Sequence, residues 1–258
     1  MTSATDNRVR GPVLVAGGSG GVGAAVCQEF ARCAVPVAFT YHRNQEKAKS
    51  LESQLAVQAG KAAALQLDLT DPDATNGVVD SVVERFGGLR SVVYAAGPAF
   101  EMAFVSQLTA RSWADTFAID VNGCFNLFSA ALRVFRRQGG GNLLALSTCA
   151  LHRPPKADVL SAAPKAAIDM LTKTIAKEEG RNGVRANTVE LGFIDAGMAA
   201  HHIEHVWSPE LVEGIKKDTP LRRFGSGEDI AKAVVFLCSE DAAFITGHAL
   251  TVDGGFSL

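Results

Sequence analysis

A single doubly wound α/β domain, a parallel sheet with helices on both faces, is the fold class that this 258-residue sequence predicts. Three observations predict it. Short β-rich apolar runs alternate along the chain with longer stretches of helical period. A glycine-dense turn joins the first run to the first helix. No linker, repeat or low-complexity tract interrupts the alternation, so 1–258 reads as one unit, with 47% hydrophobic residues to fill its core.

The strands are read at Pro12 to Ala16, Val35 to Tyr41, Ala62 to Leu67, Leu89 to Ala95, Asn142 to Ser147, Gly183 to Glu190 and His248 to Val252. Seven such strands separated by helices predict a seven-stranded parallel sheet covered on both sides. The helices are read at Gly21 to Cys33, Gln45 to Ala59, Asp71 to Phe86, Ala110 to Arg137, Ser161 to Gly180 and Glu228 to Ser239. Right-handed crossovers place them on alternate faces. Trp113, Phe117 and Phe125 are spaced as helix core. The segment 194–220, from Ile194 to Pro220, fits neither layer. It is long, mixed in polarity and follows a strand end, where a substrate-covering flap belongs.

Charge excludes several classes of partner. Lys and Arg total 25 against 27 Asp and Glu, so there is no positive field to draw the chain to nucleic acid or anionic lipid, and neither partner is expected. Met1 to Gly11 is polar and lacks the apolar centre of a secretory signal, and no apolar run is long enough to span a bilayer. A cytoplasmic location is expected. The five cysteines are scattered without a CxxC pair, which suggests reduced thiols.

The chemistry begins at Gly17-Gly-Ser-Gly-Gly-Val-Gly23, directly after the first strand. Glycines there allow a sharp turn and a close approach to a pyrophosphate, while free amides at the helix start face the anion. Gly17, Ser19, Gly20, Gly21, Val22 and Gly23 are therefore expected to hold a dinucleotide. About twenty residues on, an acid would bind the ribose 2′-hydroxyl of NAD. The chain has Tyr41-His42-Arg43 there. A guanidinium suits a 2′-phosphate, so NADP(H) is expected ahead of NAD(H).

In these features nearly the whole chain resembles the short-chain dehydrogenase/reductase family, a Rossmann-type fold. Asp68-Leu69-Thr resembles the family's adenine-side motif. Ala95, Ala96 and Gly97 fall on the motif after the fourth strand, of which only Ala96-Gly97 matches. Ile245 to Gly255 resembles the closing strand and turn of the ketoacyl-thioester reductase branch. The resemblance implies that Gly192 and Ile194, after the sixth strand, also touch cofactor, that Lys165 bonds the nicotinamide ribose, and that the chain assembles as a homotetramer or homodimer through its two long helices.

The departures gather where the family does its chemistry. The family's helix Asn falls on Asp120, with Asn122 two residues further, its Ser falls on Thr148, and its Thr near the nicotinamide falls on Ala196. Its proton-donating Tyr falls on Ser161, in Ser161-Ala-Ala-Pro164-Lys165. Only the lysine of the tetrad is unchanged. A serine hydroxyl is far less acidic than a phenol, whose unperturbed pKa is about 10, and it is one ring shorter. The chain resembles in this respect the dienoyl-thioester reductases of the family, which also lack the Tyr. In such a reductase charge builds on a thioester oxygen, and Thr148, Asn122 and Lys165 are the residues placed to stabilise it, with Asp120 facing Lys165 through water as a proton relay.

The implied activity is NADP(H)-dependent reduction of an enoyl, dienoyl or ketoacyl thioester, or a related enone or ketone. The alternative is a non-redox protein of the same fold, either a pseudoenzyme subunit or a cyclase or lyase working through Asp120 and Lys165. Ser161 also reads as a helix N-cap ahead of Pro164, which would turn Lys165 away. His201 and His205 lie one helical turn apart beside Glu204, but no further ligand accompanies them, so a lid face is expected and no metal. Cys149 has no readable base and is expected as a small core residue.

Overall fold

The computed structural model describes residues 9–100 and 102–258, so most of the polar leading stretch lies outside the described residues. Among the described residues, seven strands form one parallel sheet in the order β3-β2-β1-β4-β5-β6-β9. They are β1 (Val13–Ala16), β2 (Val37–Tyr41), β3 (Ala62–Gln66), β4 (Ser91–Tyr94), β5 (Gly141–Thr148), β6 (Val184–Leu191) and β9 (Ala249–Val252). The chain winds outward from β1 to β3, then returns to place β4 on the other side of β1. That reversal opens a crevice above the C-terminal ends of β1 and β4, where this class of sheet binds ligands.

Val13, Leu14, Val15 and Ala16 are all fully buried, as a strand covered on both faces requires. One core packs Val15, Phe39, Leu144 and Val189 against α1 (Gly21–Arg32), α2 (Gln45–Ala59) and α9 (Gly227–Cys238). The other packs Leu14, Val92, Leu143 and Ala186 against α3 (Pro72–Phe86), α5 (Gly123–Gln138) and α6 (Val159–Glu179). The helix ends follow local chemistry. Asn44 caps α2 through a 2.9 Å bond from the Lys47 amide, Asp71 caps α3 ahead of Pro72, and both helices end on a left-handed glycine.

The stretch predicted as one helix from Ala110 to Arg137 is divided. α4 (Ala110–Phe117) passes into a π turn at Ala118–Asn122 before α5 begins. The wider turn leaves the Ile119 carbonyl free to accept a 2.8 Å bond from the Tyr94 hydroxyl. Trp113 and Phe125, expected in the helix core, are instead 40% and 55% exposed, because they stand on the outer side of the helical layer.

α6 starts at Val159 with Asp158 as N-cap, so Ser161 lies inside its first turn rather than capping it. Pro164 is buried within the helix, which continues past it to Glu179. The segment 194–220 holds β7 (Ile194–Asp195), α7 (Gly197–His205) and α8 (Pro209–Asp218), and β7 pairs with β8 (Gly225–Ser226). No two of the five cysteines are bonded.

Candidate active site

The glycine turn meets the physical demands of a phosphate cradle. Gly17 has φ +75°, and a Cβ there would stand 2.7 Å from Ala96 Cα at the end of β4. A Cβ on Gly23 would stand 2.3 Å from the Gly17 carbonyl oxygen. The N-cap of α1 is Gly20, which offers no side chain to the first amides of the helix, so these stay available to an anion. Gly21 packs backbone to backbone against Gly197 at the start of α7, and its own Cβ position would be 2.2 Å from the Gly197 nitrogen.

At the ends of β2 and β3, His42 Nε2 lies 4.0 Å from an Asp68 carboxylate oxygen. Hydrogen bonds from the hydroxyl (2.7 Å) and amide (2.9 Å) of Thr70 hold the Asp68 carboxyl below its ordinary range, helped by the charge of Arg43. Leu69 is buried beside it. His42, Arg43 and Asp68 therefore converge on one rim of the crevice.

Lys165 points inward. Its Nζ donates to Asp120 Oδ1 at 3.0 Å, with side-chain exposures of only 14% and 3%, so the pairing is direct where a bridging water was expected. Pro164 does not turn the lysine away. The π turn positions Asp120, whose Oδ1 would lie 3.7 Å from a Cβ on Gly97. Lys165 Nζ also stands 5.5 Å from the centre of the Tyr94 ring. That phenol is not a replacement acid: burial, with the negative charge of Asp120, pushes its pKa well above the ordinary value, and its hydroxyl is fully enclosed.

Beside this pair lies a cavity of about 570 Å³. Its apolar wall includes Phe100, Met102, Phe193, Trp207, Leu211 and Phe256, and its polar groups include Thr148, Ser161 and Asp158. Trp207, Leu211 and Ile215 come from the segment 194–220, which therefore supplies part of the cavity wall. The Phe193 ring meets Phe256 edge-on at 4.9 Å and Trp207 at 5.8 Å. Thr148 Oγ1 accepts from the Ala150 amide at 3.2 Å. Cys149 also lines the wall, and burial pushes its thiol up to about 12, which keeps it from acting as a thiolate.

Thr148 and Ser161 thus share the cavity wall, and Lys165 with Asp120 forms a unit one helical turn further along α6. Asn122 is exposed at the end of the π turn and does not line the cavity. Gly192 and Ile194 lie on the cavity wall. The side chain of His201 is outside the described residues, and His205 Nε2 lies 3.5 Å from a Glu204 oxygen. Sequence reasoning missed Asp158, Phe193, Trp207 and Phe256. Their only signal was position: Asp158 is one turn before Ser161, Phe193 and Phe256 follow the ends of the neighbouring strands β6 and β9, and Trp207 lies in the link between α7 and α8.

A doubly wound sheet with a glycine cradle at its switch point and a buried lysine beside an apolar cavity defines a dinucleotide-dependent oxidoreductase fold. The chain belongs to the short-chain dehydrogenase/reductase family. Residues 16–257 match the family described as Enoyl-(Acyl carrier protein) reductase. The 3-oxoacyl-[acyl-carrier-protein] reductase FabG of Staphylococcus aureus is 32% identical over 94% of this chain and 96% of its own. The 2,5-dichloro-2,5-cyclohexadiene-1,4-diol dehydrogenase LinX of Sphingobium indicum is 30% identical over 98% of both chains. Among solved structures, a short-chain dehydrogenase/reductase from Mycobacterium ulcerans superposes with TM-score 0.90 at 30% identity, covering 95% of this chain and 89% of that one. A short-chain dehydrogenase from Burkholderia cenocepacia in complex with NADP superposes with TM-score 0.86 at 30% identity, covering 95% and 97%. No helix among the described residues is long and apolar enough to cross a membrane.

Proposed function

We propose that this oxidoreductase is an NADP(H)-dependent reductase of an apolar enone or ketone, of which an enoyl or ketoacyl thioester is the preferred form, working without a tyrosine acid. The observation that carries the reading is the buried Lys165–Asp120 pair one helical turn along α6 from a largely apolar cavity whose polar wall offers Ser161 and Thr148. The missing acid at the end of β2 and the presence of Arg43 support the phosphorylated cofactor. When bound, the dihydronicotinamide supplies hydride to the substrate.

The chain's own residues do the remainder. The amides at the start of α1 neutralise the pyrophosphate, and Arg43 the 2′-phosphate. Lys165 bonds the ribose hydroxyls and keeps a positive charge beside the reacting centre, with Asp120 holding its ammonium in place. Thr148 and Ser161 donate hydrogen bonds to the substrate oxygen as negative charge builds there. The aromatic wall and α8 exclude water from the acyl group. Copies of the chain pair through α5 and α6, a reading supported by Phe125 and Met170, which are 55% and 62% exposed on those helices; light scattering tests it against a monomer mass.

Fluorescence titration with NADPH and NADH, followed by absorbance loss at the nicotinamide band with crotonyl-CoA and acetoacetyl-CoA, tests the reading. Tighter binding of NADPH and turnover of at least one thioester are expected. Failure to bind either dinucleotide overturns it in favour of a protein that keeps the fold without redox chemistry. Ser161→Tyr is expected to raise ketone reduction relative to enone reduction.

A further inference from the structure

We propose that Asp158 is the proton donor of this site, supplying to an apolar enone or ketone the proton that a phenol at position 161 would otherwise give. The proposal rests on the reductase reading above and names the acid that it leaves unassigned.

Asp158, Ser161 and Lys165 stand at i, i+3 and i+7 along the start of α6, a spacing that puts them on one helical face. Asp158 and Ser161 both line the cavity, and Lys165 turns to Asp120 behind them. The face therefore presents carboxyl, hydroxyl and ammonium in sequence. A serine is one ring shorter than a tyrosine, which leaves room on this face beside the carboxyl one turn earlier.

The carboxyl is set up to act on a ligand. An Asp at an N-cap ordinarily accepts from the second or third amide of its helix. Asp158 has no such side-chain bond, although its backbone oxygen accepts from the amides of both Ser161 and Ala162 at 3.0 Å. Its main chain is thus fixed, and the residue lines the cavity with no capping bond from its side chain. Among the described residues, the titratable and charged groups that share this wall are Cys149 from the turn after β5 and Lys156 from the preceding loop, and neither bonds to it. Burial in that wall raises the carboxyl from 3.8 to about 6, close to the range in which a general acid is most effective.

The step balances with a dihydronicotinamide as reductant. Hydride adds to the carbonyl carbon of a ketone, or to the β-carbon of an enone, and the π electron pair moves onto oxygen or into the enolate. The O–H bond of Asp158 breaks, and its proton goes to that oxygen or to the enolate α-carbon. Asp158 is left as carboxylate and regains a proton from water at the cavity mouth.

Asp158→Asn, with Asp158→Glu as a second variant, tests the assignment on the full chain with NADPH and either crotonyl-CoA or acetoacetyl-CoA. Asp158→Asn is expected to lower kcat about a hundredfold or more while NADPH affinity, read by fluorescence, is unchanged. Asp158→Glu is expected to keep part of the rate. In the wild-type chain kcat/KM is expected to be flat below about pH 6 and to fall above it, a limb absent from Asp158→Asn. Infrared difference spectra of the substrate-free chain are expected to show a protonated carboxyl band titrating near pH 6 that Asp158→Asn removes. A wild-type chain that turns over a thioester while Asp158→Asn matches its rate and pH profile overturns the acid assignment alone. A wild-type chain that binds NADPH but reduces neither thioester overturns the reductase reading, and the acid assignment with it.

Discussion

Two ion pairs join the same two helical segments at opposite ends, and they are built differently. At the far end Arg136 of α5 meets Glu179 of α6 through two hydrogen bonds, one of 2.9 Å from Nε, and Asn182 adds a third at 2.8 Å. At the cavity end Lys165 meets Asp120 through one bond of 3.0 Å. The far pair uses a planar fork that matches both carboxylate oxygens, and its arginine reaches solvent. The near pair uses a compact ammonium, with both side chains largely buried, one helical turn from the cavity-lining Ser161. A fork fixes a structure. A point charge with donors to spare can hold an acid and a ligand hydroxyl at once.

Lys165→Met breaks this comparison most severely. It leaves the Asp120 carboxyl buried without its counter-charge, which costs about 3–5 kcal/mol unless the group takes up a proton. Thioester reduction and NADPH affinity are expected to fall together, measured by steady-state rates and fluorescence titration. Urea melts of Lys165→Met/Asp120→Asn are expected to recover much of the stability and none of the rate.

Arg136→Met sharpens it. The Arg136 hydrogen bond lowers the Glu179 carboxyl from 4.5 to about 2, so this pair supports the fold fully above pH 4.5 and loses its contribution as pH falls toward 2. The variant is expected to melt at lower urea than the wild-type chain at pH 7, with the gap closing between pH 4.5 and 2, and to keep its rate per folded molecule.

The smallest effect on stability belongs to Asp158. Its carboxyl is raised above its unfolded value, so it favours the fold while protonated, fully below pH 3.8, and this support is lost as pH rises through about 6. Asp158→Asn is therefore expected to be more stable than the wild-type chain at pH 7 by about 1–2 kcal/mol after solvent screening, and equal to it near pH 3.8. A residue that costs stability at neutral pH fits a role in chemistry rather than in holding the fold.

The sheet was legible because each strand is an apolar run bounded by glycine, proline or polar residues, and all seven lie within two residues of where patterning puts them at either end. The glycine cradle was legible for the same reason: its backbone geometry is written in residue type. The division of the second long helix was not. Helical periodicity runs unbroken through Ala118–Asn122, and the partner of the π turn's Ile119 carbonyl, the Tyr94 hydroxyl, is twenty-five residues away in sequence. Trp113 and Phe125 misled because large apolar residues at helical spacing mark a face without saying whether that face meets the sheet. Asp158 stayed hidden because its character comes from what surrounds it: an aspartate before a helix reads as a cap until the structure shows its side chain giving that task up.

Gly21 and Gly197 meet with no side chain between them, the first opening α1 after the glycine turn and the second opening α7. Contact of main chain with main chain has no rotamer to adjust. The seat of α7 is consequently indexed to the glycine turn itself, like a door hung on its own frame, and a methyl group on Gly21 would wedge the two apart.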